Sequence, residues 1–191
     1  MTRAALDVLG VSGSPRRDGN TDLLVREALR LLAERTGART EFVRVAEHRI
    51  EPCRGCRACM RLGRCAIQDD DFEGLMARVR AADLLVLGAP VYWFGPPGIM
   101  KNFIDRTHGY YADHTILRGK RAIIISVATE SGFEPHEAVM SCWLRLYGAE
   151  ILGTIRVMAC EKGEVLQRPD EFAKVGQLIG KLFLPARRRE T

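Results

Sequence analysis

Four cysteines stand within thirteen residues, Cys53, Cys56, Cys59 and Cys65, in the spacing C-x2-C-x2-C-x5-C. Spacing this tight leaves little room for four independent roles. It brings four thiols around one small volume, as an iron–sulfur centre or a structural metal ion requires. Zinc is the nearest rival to iron, because four thiolates suit Zn²⁺ as well. Zinc sites usually split their ligands into two separated pairs, whereas these residues form one continuous run. Disulfides are the other use of clustered cysteines, and they belong to oxidising compartments. The N-terminal apolar segment is broken by Asp7 and Gly10 and does not read as a secretory leader. Cys142 and Cys160 fall in a helical pattern and at a strand end, where ordinary buried cysteines are expected.

A second chemical signal lies in Gly10-Val11-Ser12-Gly13-Ser14-Pro15-Arg16-Arg17-Asp18-Gly19-Asn20-Thr21. Its glycines let backbone approach a ligand closely. Ser12, Ser14, Asn20 and Thr21 offer hydroxyl and amide groups. A helix starting near Thr21 directs free N–H groups and a partial positive charge into the loop, which makes it a phosphate cradle. The segment has no Gly-Lys-Ser/Thr and no Gly-x-Gly-x-x-Gly, which disfavours a P-loop hydrolase and a dinucleotide fingerprint. An Asn/Thr helix cap is the plainer use of the same residues.

Two further loops add to it. Pro90, Val91, Tyr92, Trp93, Phe94 and Gly95 place three consecutive aromatics between proline and glycine. Such residues suit stacking on a flat ring or a subunit contact. Thr129, Glu130, Ser131, Gly132 and Phe133 form the third loop.

The elements that must position these loops follow from periodicity. Strands are expected at Leu6–Val11, Thr40–Val45, Leu84–Ala89, Ala122–Ala128 and Ile151–Met158. Helices are expected at Thr21–Arg35, with Leu23, Leu24, Ala28, Leu31 and Leu32 as its stripe, and at Phe72–Ala81 behind the acidic start Asp69-Asp70-Asp71. Others are expected from Pro96-Pro97 to Thr107, at Pro135–Tyr147 and at Glu171–Leu184. Alternation of this kind specifies an α/β doubly wound, five-stranded parallel sheet. Loops after strands one, three and four then leave one edge and meet where the winding reverses. The crevice holds a phosphate at one end and an aromatic heterocycle at the other. Flavin mononucleotide (FMN) fits those proportions best.

At 191 residues the chain is expected to be one unit over 1–186, with 50–70 as a cysteine insertion after strand two and 187–191 as a basic tail. No apolar run is long enough to span a bilayer, so the expectation is no membrane and a cytoplasmic location. The net charge of +5 is spread over helical faces beside acids, so nucleic acid is not expected as a partner. His108 reads as a solvated helix-end residue, and Lys101 as a helix-surface charge. No acid or base is assigned a catalytic role.

The combined motifs resemble the NADPH-dependent FMN reductase family. They are Gly13-Ser14-Pro15-Arg16-x-x-Gly19-Asn20-Thr21, Pro90-Val91-Tyr92-Trp93 leading to Lys101-Asn102-Phe103-Ile104-Asp105-Arg106, and the cysteines ending in Cys65-x3-Asp69-Asp70. The compact cysteine motif resembles that family's iron–sulfur flavoproteins. The resemblance implies a flavodoxin-like fold with strand order 2-1-3-4-5, FMN and a [4Fe–4S] cluster on Cys53, Cys56, Cys59 and Cys65. Ser12, Ser14, Arg16, Gly19, Asn20 and Thr21 would then hold the phosphate. Pro90 to Gly95, with Thr129, Ser131 and Gly132, would contact the isoalloxazine. The resemblance further implies a homodimer or homotetramer, and electron transfer from ferredoxin or NAD(P)H to a small acceptor such as a quinone. A cluster-free NAD(P)H-dependent FMN or quinone reductase, and a zinc-stabilised binding module, are the alternatives.

Overall fold

The computed structural model describes residues 5–183. The expected helix end at Leu184, the outer limits of the 1–186 unit and the tail 187–191 lie outside the described residues. The strands are β1 (Asp7–Ser12), β2 (Arg39–Arg44), β3 (Leu84–Pro90), β4 (Arg121–Ala128) and β5 (Glu150–Met158). They pair in parallel in the order β2-β1-β3-β4-β5. The helices are α1 (Asn20–Thr36), α2 (Cys59–Leu62), α3 (Phe72–Ala81), α4 (Gly98–Arg106), α5 (Phe133–Leu146) and α6 (Pro169–Leu182). The sheet is the doubly wound one that the periodicity called for, in the flavodoxin-like strand order that the resemblance implied. The single turn α2, inside the cysteine run, has no periodic signal and was not expected.

The central strands are apolar throughout because both faces of the sheet are covered. Successive side chains alternate. Leu85, Leu87, Ala122 and Ile124 pack with Phe72, Met76, Phe103, Met140 and Trp143, which come from α3, α4 and α5. Leu84, Val86, Ile123 and Ile125 pack with Leu24, Val25, Leu32, Val175 and Ile179 from α1 and α6. The stripe of α1 is rotated slightly from the expected one: Leu24, Val25, Ala28, Leu29 and Leu32 are buried, while Leu23 and Leu31 are half-buried. Gly37 ends this helix at φ 70°, its N–H donating to Ala33 O. Helix α4 starts later than its prolines suggested. Pro97 is an extended cap at ψ 153°, so the double proline delivers the chain to the helix without entering it. Its far end is tied to α5, since Trp143 Nε1 donates to Thr107 Oγ1 at 3.0 Å and Tyr147 Oη donates to Thr107 O at 2.6 Å. Among the described residues, no helix is long and apolar enough to cross a membrane.

Two glycines set how closely α1 lies on the sheet. A Cβ at Gly88 would stand 2.5 Å from Val25 Cγ2 and 2.8 Å from Thr21 Cγ2; one at Gly10 would stand 2.7 Å from both Val25 Cγ1 and Leu29 Cδ1. The β-branched Val25 and Thr21 have little rotamer freedom in a helix with which to yield. We therefore expect Gly88→Ala to destabilise the protein by about 1–3 kcal/mol. Urea unfolding should show a lower midpoint with an unchanged slope. An unaltered midpoint would mean that α1 is not seated this tightly.

Candidate functional site

Loops leaving the carboxyl ends of β1, β3, β4 and β5 close around one cleft. Ser14, Arg16, Gly19, Asn20 and Thr21 come from the first loop and the helix start it leads into, Pro90, Val91 and Tyr92 from the end of β3 and the second loop, and Val127, Ala128 and Thr129 from the end of β4 and the third. Ala159, Cys160 and Lys162 come from the fourth. The cleft opens where β1 and β3 lie side by side and the winding reverses. Gly19 caps α1 in extended backbone and makes no side-chain cap, so the first-turn amides remain available to an anion. Arg16 reaches across the cleft and donates to Cys160 O at 2.9 Å. A phosphate end with free amides beside Arg16 and Lys162, and an end lined by Pro90, Val91 and Tyr92, fits FMN.

Behind this surface lies a polar frame that periodicity could not reveal. Asp22 is fully buried in the first turn of α1. Its carboxylate accepts from Ser12 Oγ at 2.5 Å, Asp18 N at 2.8 Å and Arg44 Nε at 2.8 Å. Arg44 is only 5% exposed and also donates to Ser14 O. The loop is thus held from beneath by an ion pair, and the Ser12 hydroxyl is committed to it behind the cleft. Asn20 lines the cleft while its side chain pins the opposite wall: Nδ2 donates to Glu161 O at 2.8 Å and Oδ1 accepts from Val165 N at 3.2 Å. The signal for this frame was an acid in the first helical turn and an arginine closing a strand.

The aromatic loop is a two-residue hairpin. Tyr92 N donates to Gly95 O at 2.8 Å and Gly95 N to Tyr92 O at 3.0 Å. Trp93 and Phe94 between them both adopt positive φ, 48° and 63°, a conformation that such turns normally fill with Asn or Gly. Trp93 is 97% exposed and Phe94 58%. Neither they nor Gly95 line the cleft, and Ser131 and Gly132 also stand outside it. The two loops nevertheless touch: a Cβ at Gly132 would lie 2.9 Å from Val91 Cγ1 and 3.1 Å from Phe94 Cδ1. His136, which no motif singled out, is fully buried on α5; the Gly95 backbone is near its ring, but neither ring nitrogen makes a well-formed hydrogen bond among the described residues. Burial pushes its pKa down.

The four cysteines of the insert line a second cavity, with Ile67, Arg106, His108 and Gly109 among its other walls. Gly55, Arg57 and Gly63 take left-handed backbone and curl the chain around it. Among the described residues, no three His, Cys, Asp or Glu groups are drawn together closely enough to hold one ion. The donor set still fits a cluster, since four thiols share one cavity and a cation is bonded to one of them. Arg106, the last residue of α4, donates from Nε to Cys65 Sγ at 3.2 Å. Asp70 is its buried partner. Burial opposes ionisation of Asp70, but Arg106 and the amides of Glu51 and Phe72 outweigh it and hold the carboxyl below its usual range. The expected acidic helix start therefore clamps both ends of the insert. Gly109 lets the insert sit down on the turn that follows α4, because a Cβ there would meet Cys65 N at 2.8 Å.

The two cavities share no lining residue. Helix α4 joins them. It starts just after the aromatic hairpin and ends at Arg106, and its nine residues rise roughly 13 Å. His108 is exposed at the rim of the cysteine cavity and stacks on Tyr111 at 5.0 Å. Lys101 pairs with Asp105 on the surface of α4. All six cysteines are free. Cys142 and Cys160 are exposed, contrary to expectation. Met140, Trp143, Leu144 and Tyr147 take the buried stripe of α5 and leave Cys142 off it, while Cys160 lies past the strand end, where the chain has turned out to the cleft.

Replacing Arg44 with Met leaves the Asp22 carboxylate buried without its cation, and should cost about 3–5 kcal/mol; a denaturation midpoint matching wild type would show the pair to be dispensable. Burial of neutral His136 gives a second expectation. Its folded pKa is depressed, so the unfolded chain binds the extra proton first. The associated stability is fully present above the unfolded value of about 6.5 and is lost as pH falls below it. Stability of wild type should drop between pH 7 and 5 more steeply than that of His136→Phe, and parallel pH profiles would contradict it.

Residues 6–163 match the model of the NADPH-dependent FMN reductase family. An iron-sulfur flavoprotein of Methanocaldococcus jannaschii is 45% identical over 102 residues, 53% of this chain and 52% of that protein. The chain thus spans about half the length of that relative. An iron-sulfur flavoprotein of Archaeoglobus fulgidus is 32% identical over 93% of this chain and 79% of its own length. Among solved structures, the NAD(P)H:quinone oxidoreductase of Methanothermobacter marburgensis superposes with a TM-score of 0.73 at 18% identity, covering 98% of this chain and 100% of that one, a likeness of fold. By this match over residues 6–163, and by the iron-sulfur flavoproteins among its relatives, the chain belongs to the NADPH-dependent FMN reductase family, in its iron-sulfur flavoprotein subgroup.

Proposed function

We propose that this chain is an FMN-dependent oxidoreductase that passes electrons from a reduced carrier, ferredoxin or NAD(P)H, to a small acceptor, with a [4Fe–4S] cluster on Cys53, Cys56, Cys59 and Cys65. The observation that carries it is the pairing of a phosphate-ready cleft at the β1/β3 switch with four thiols around one cavity at the other end of α4. When bound, FMN supplies one- and two-electron chemistry and the cluster one-electron exchange.

The protein's share is positioning. First-turn amides of α1, with Ser14, Arg16 and Thr21, hold the phosphate. Pro90, Val91 and Tyr92 flank the ring on one side and Thr129 on the other. Trp93 and Phe94 stand at the rim, where they suit a transient ring or a second subunit better than the bound flavin. The reading includes a single functional unit with 50–70 as its insert, a homodimer or homotetramer, and a cytoplasmic location, where reduced thiols persist.

Anaerobic reconstitution, followed by iron, sulfide, zinc and flavin analysis, tests this. Stoichiometric FMN with about four irons per chain is expected. Flavin without iron favours the cluster-free reductase, and zinc without flavin favours a binding module. Asn20→Leu removes a cleft-lining amide and releases the wall at Glu161 and Val165, so it should weaken FMN binding at least about tenfold, near 1.4 kcal/mol. Flavin fluorescence titration reads this, and an unchanged affinity would place the phosphate elsewhere.

A further inference from the structure

Arg106 is the most completely engaged side chain beside the cysteines. It is fully buried at the end of α4. Nε donates to Cys65 Sγ at 3.2 Å. Nη1 donates to Glu51 O at 2.9 Å and to Asp70 Oδ2, and Nη2 donates to Ile67 O at 3.0 Å and Asp70 Oδ1 at 3.2 Å. A guanidinium has five N–H donors in a fixed fork, and here each has an acceptor. Those acceptors bracket the insert: Glu51 precedes the first cysteine, Cys65 is the last, and Ile67 and Asp70 return the chain to α3. The same cation lies 4.7 Å over the Phe72 ring. No other cysteine of the run is bonded to a charged group among the described residues.

We propose that Arg106 is the positioning residue of the cysteine centre and raises its reduction potential through the bond to Cys65 Sγ. The proposal rests on the cluster reading above. Reduction of a thiolate-held centre adds one electron, and hence one negative charge, close to the sulfurs. A buried cation and an N–H···S bond favour that charge, and hydrogen bonds to the sulfurs are a recognised determinant of such potentials. Asp70 works in the opposite direction. Its carboxylate locks the fork in place but offsets part of the cation's field.

The two residues therefore predict shifts of opposite sign. Arg106→Lys keeps a positive charge but cannot reproduce the planar fork. It should move the midpoint to more negative potential, leaving the centre about tenfold less reduced at a fixed poise, near 59 mV for a one-electron couple. Asp70→Asn leaves the guanidinium and removes the opposing charge, and should move the midpoint to more positive potential. A purely architectural role would not reverse sign between the two.

The experiment is a mediated redox titration of the anaerobically reconstituted full chain, followed by low-temperature EPR, for wild type and both variants. Opposite shifts at retained iron content support the proposal. Unchanged midpoints in both variants overturn it. Should Arg106→Lys lose its iron, Asp70→Asn decides alone: a positive shift supports the proposal and an unmoved midpoint overturns it. The positioning role is tested separately on the iron-free chain by hydrogen exchange. Arg106→Lys should speed exchange over residues 50–70 and leave β3 and β4 protected, and equal exchange in the insert would overturn that role. A wild-type chain that takes up no iron sinks the cluster reading itself, while the exchange measurement still reports on Arg106.

Discussion

The close seating of α1 on the β1/β3 pair is the constraint from which the cleft follows. Gly10 and Gly88 remove the side chains that would hold the helix off, and Val25 and Thr21 occupy that space. The helix can then aim its free amides over the carboxyl edge of the sheet, where loops from other strands already gather. Its first turn carries Asp22 into the interior, and a buried carboxylate there requires a partner. Arg44, at the end of the neighbouring strand, supplies it and grips the loop carbonyls as well. A packing constraint is thereby converted into a fixed shape for a polar loop.

The cysteine insert is built differently. From Pro52 to Ala66 its residues are exposed or half-buried, and Ile67 is the first to be buried. Such a segment cannot be held by apolar burial. It is held by one guanidinium and one carboxylate at its base, with Gly109 letting it approach the helix end. Buried ion pairs of this kind contribute little net stability compared with apolar packing, and their value lies in fixing one arrangement among several. Both polar frames, Asp22–Arg44 and Asp70–Arg106, do this for segments without a core of their own. Helix α4 carries Arg106 at its end and follows the aromatic hairpin at its start.

Much of the fold was legible beforehand because a doubly wound sheet writes itself into periodicity. Apolar runs such as 84–89 and 122–128 have one comfortable environment, and Phe72–Ala81 came out with the expected bounds. The cleft was partly legible for the same reason, since topology alone brings the first, third and fourth loops together. The fourth wall, with Ala159, Cys160 and Lys162, carried no motif. The aromatic triplet read as a surface for a flat ring or for a subunit contact; backbone pairing of Tyr92 with Gly95 turns Trp93 and Phe94 outward. Cys142 is exposed although its residue type favours burial, because it lies off the buried stripe of α5.

By itself the order of residues determined the alternation of elements, the identity of the loops at one edge and the clustering of four thiols, all properties of neighbours along the chain. Only the tertiary structure decided which polar groups face a ligand and which are consumed in holding the frame. Ser12 is turned back to Asp22, Asn20 spans to the 161–165 segment and Arg106 reaches the cysteines. The physical reason is that a buried charge or amide must find a partner wherever the packed chain offers one. Those partners lie 10, 141 and 41 positions away, beyond the reach of any local pattern.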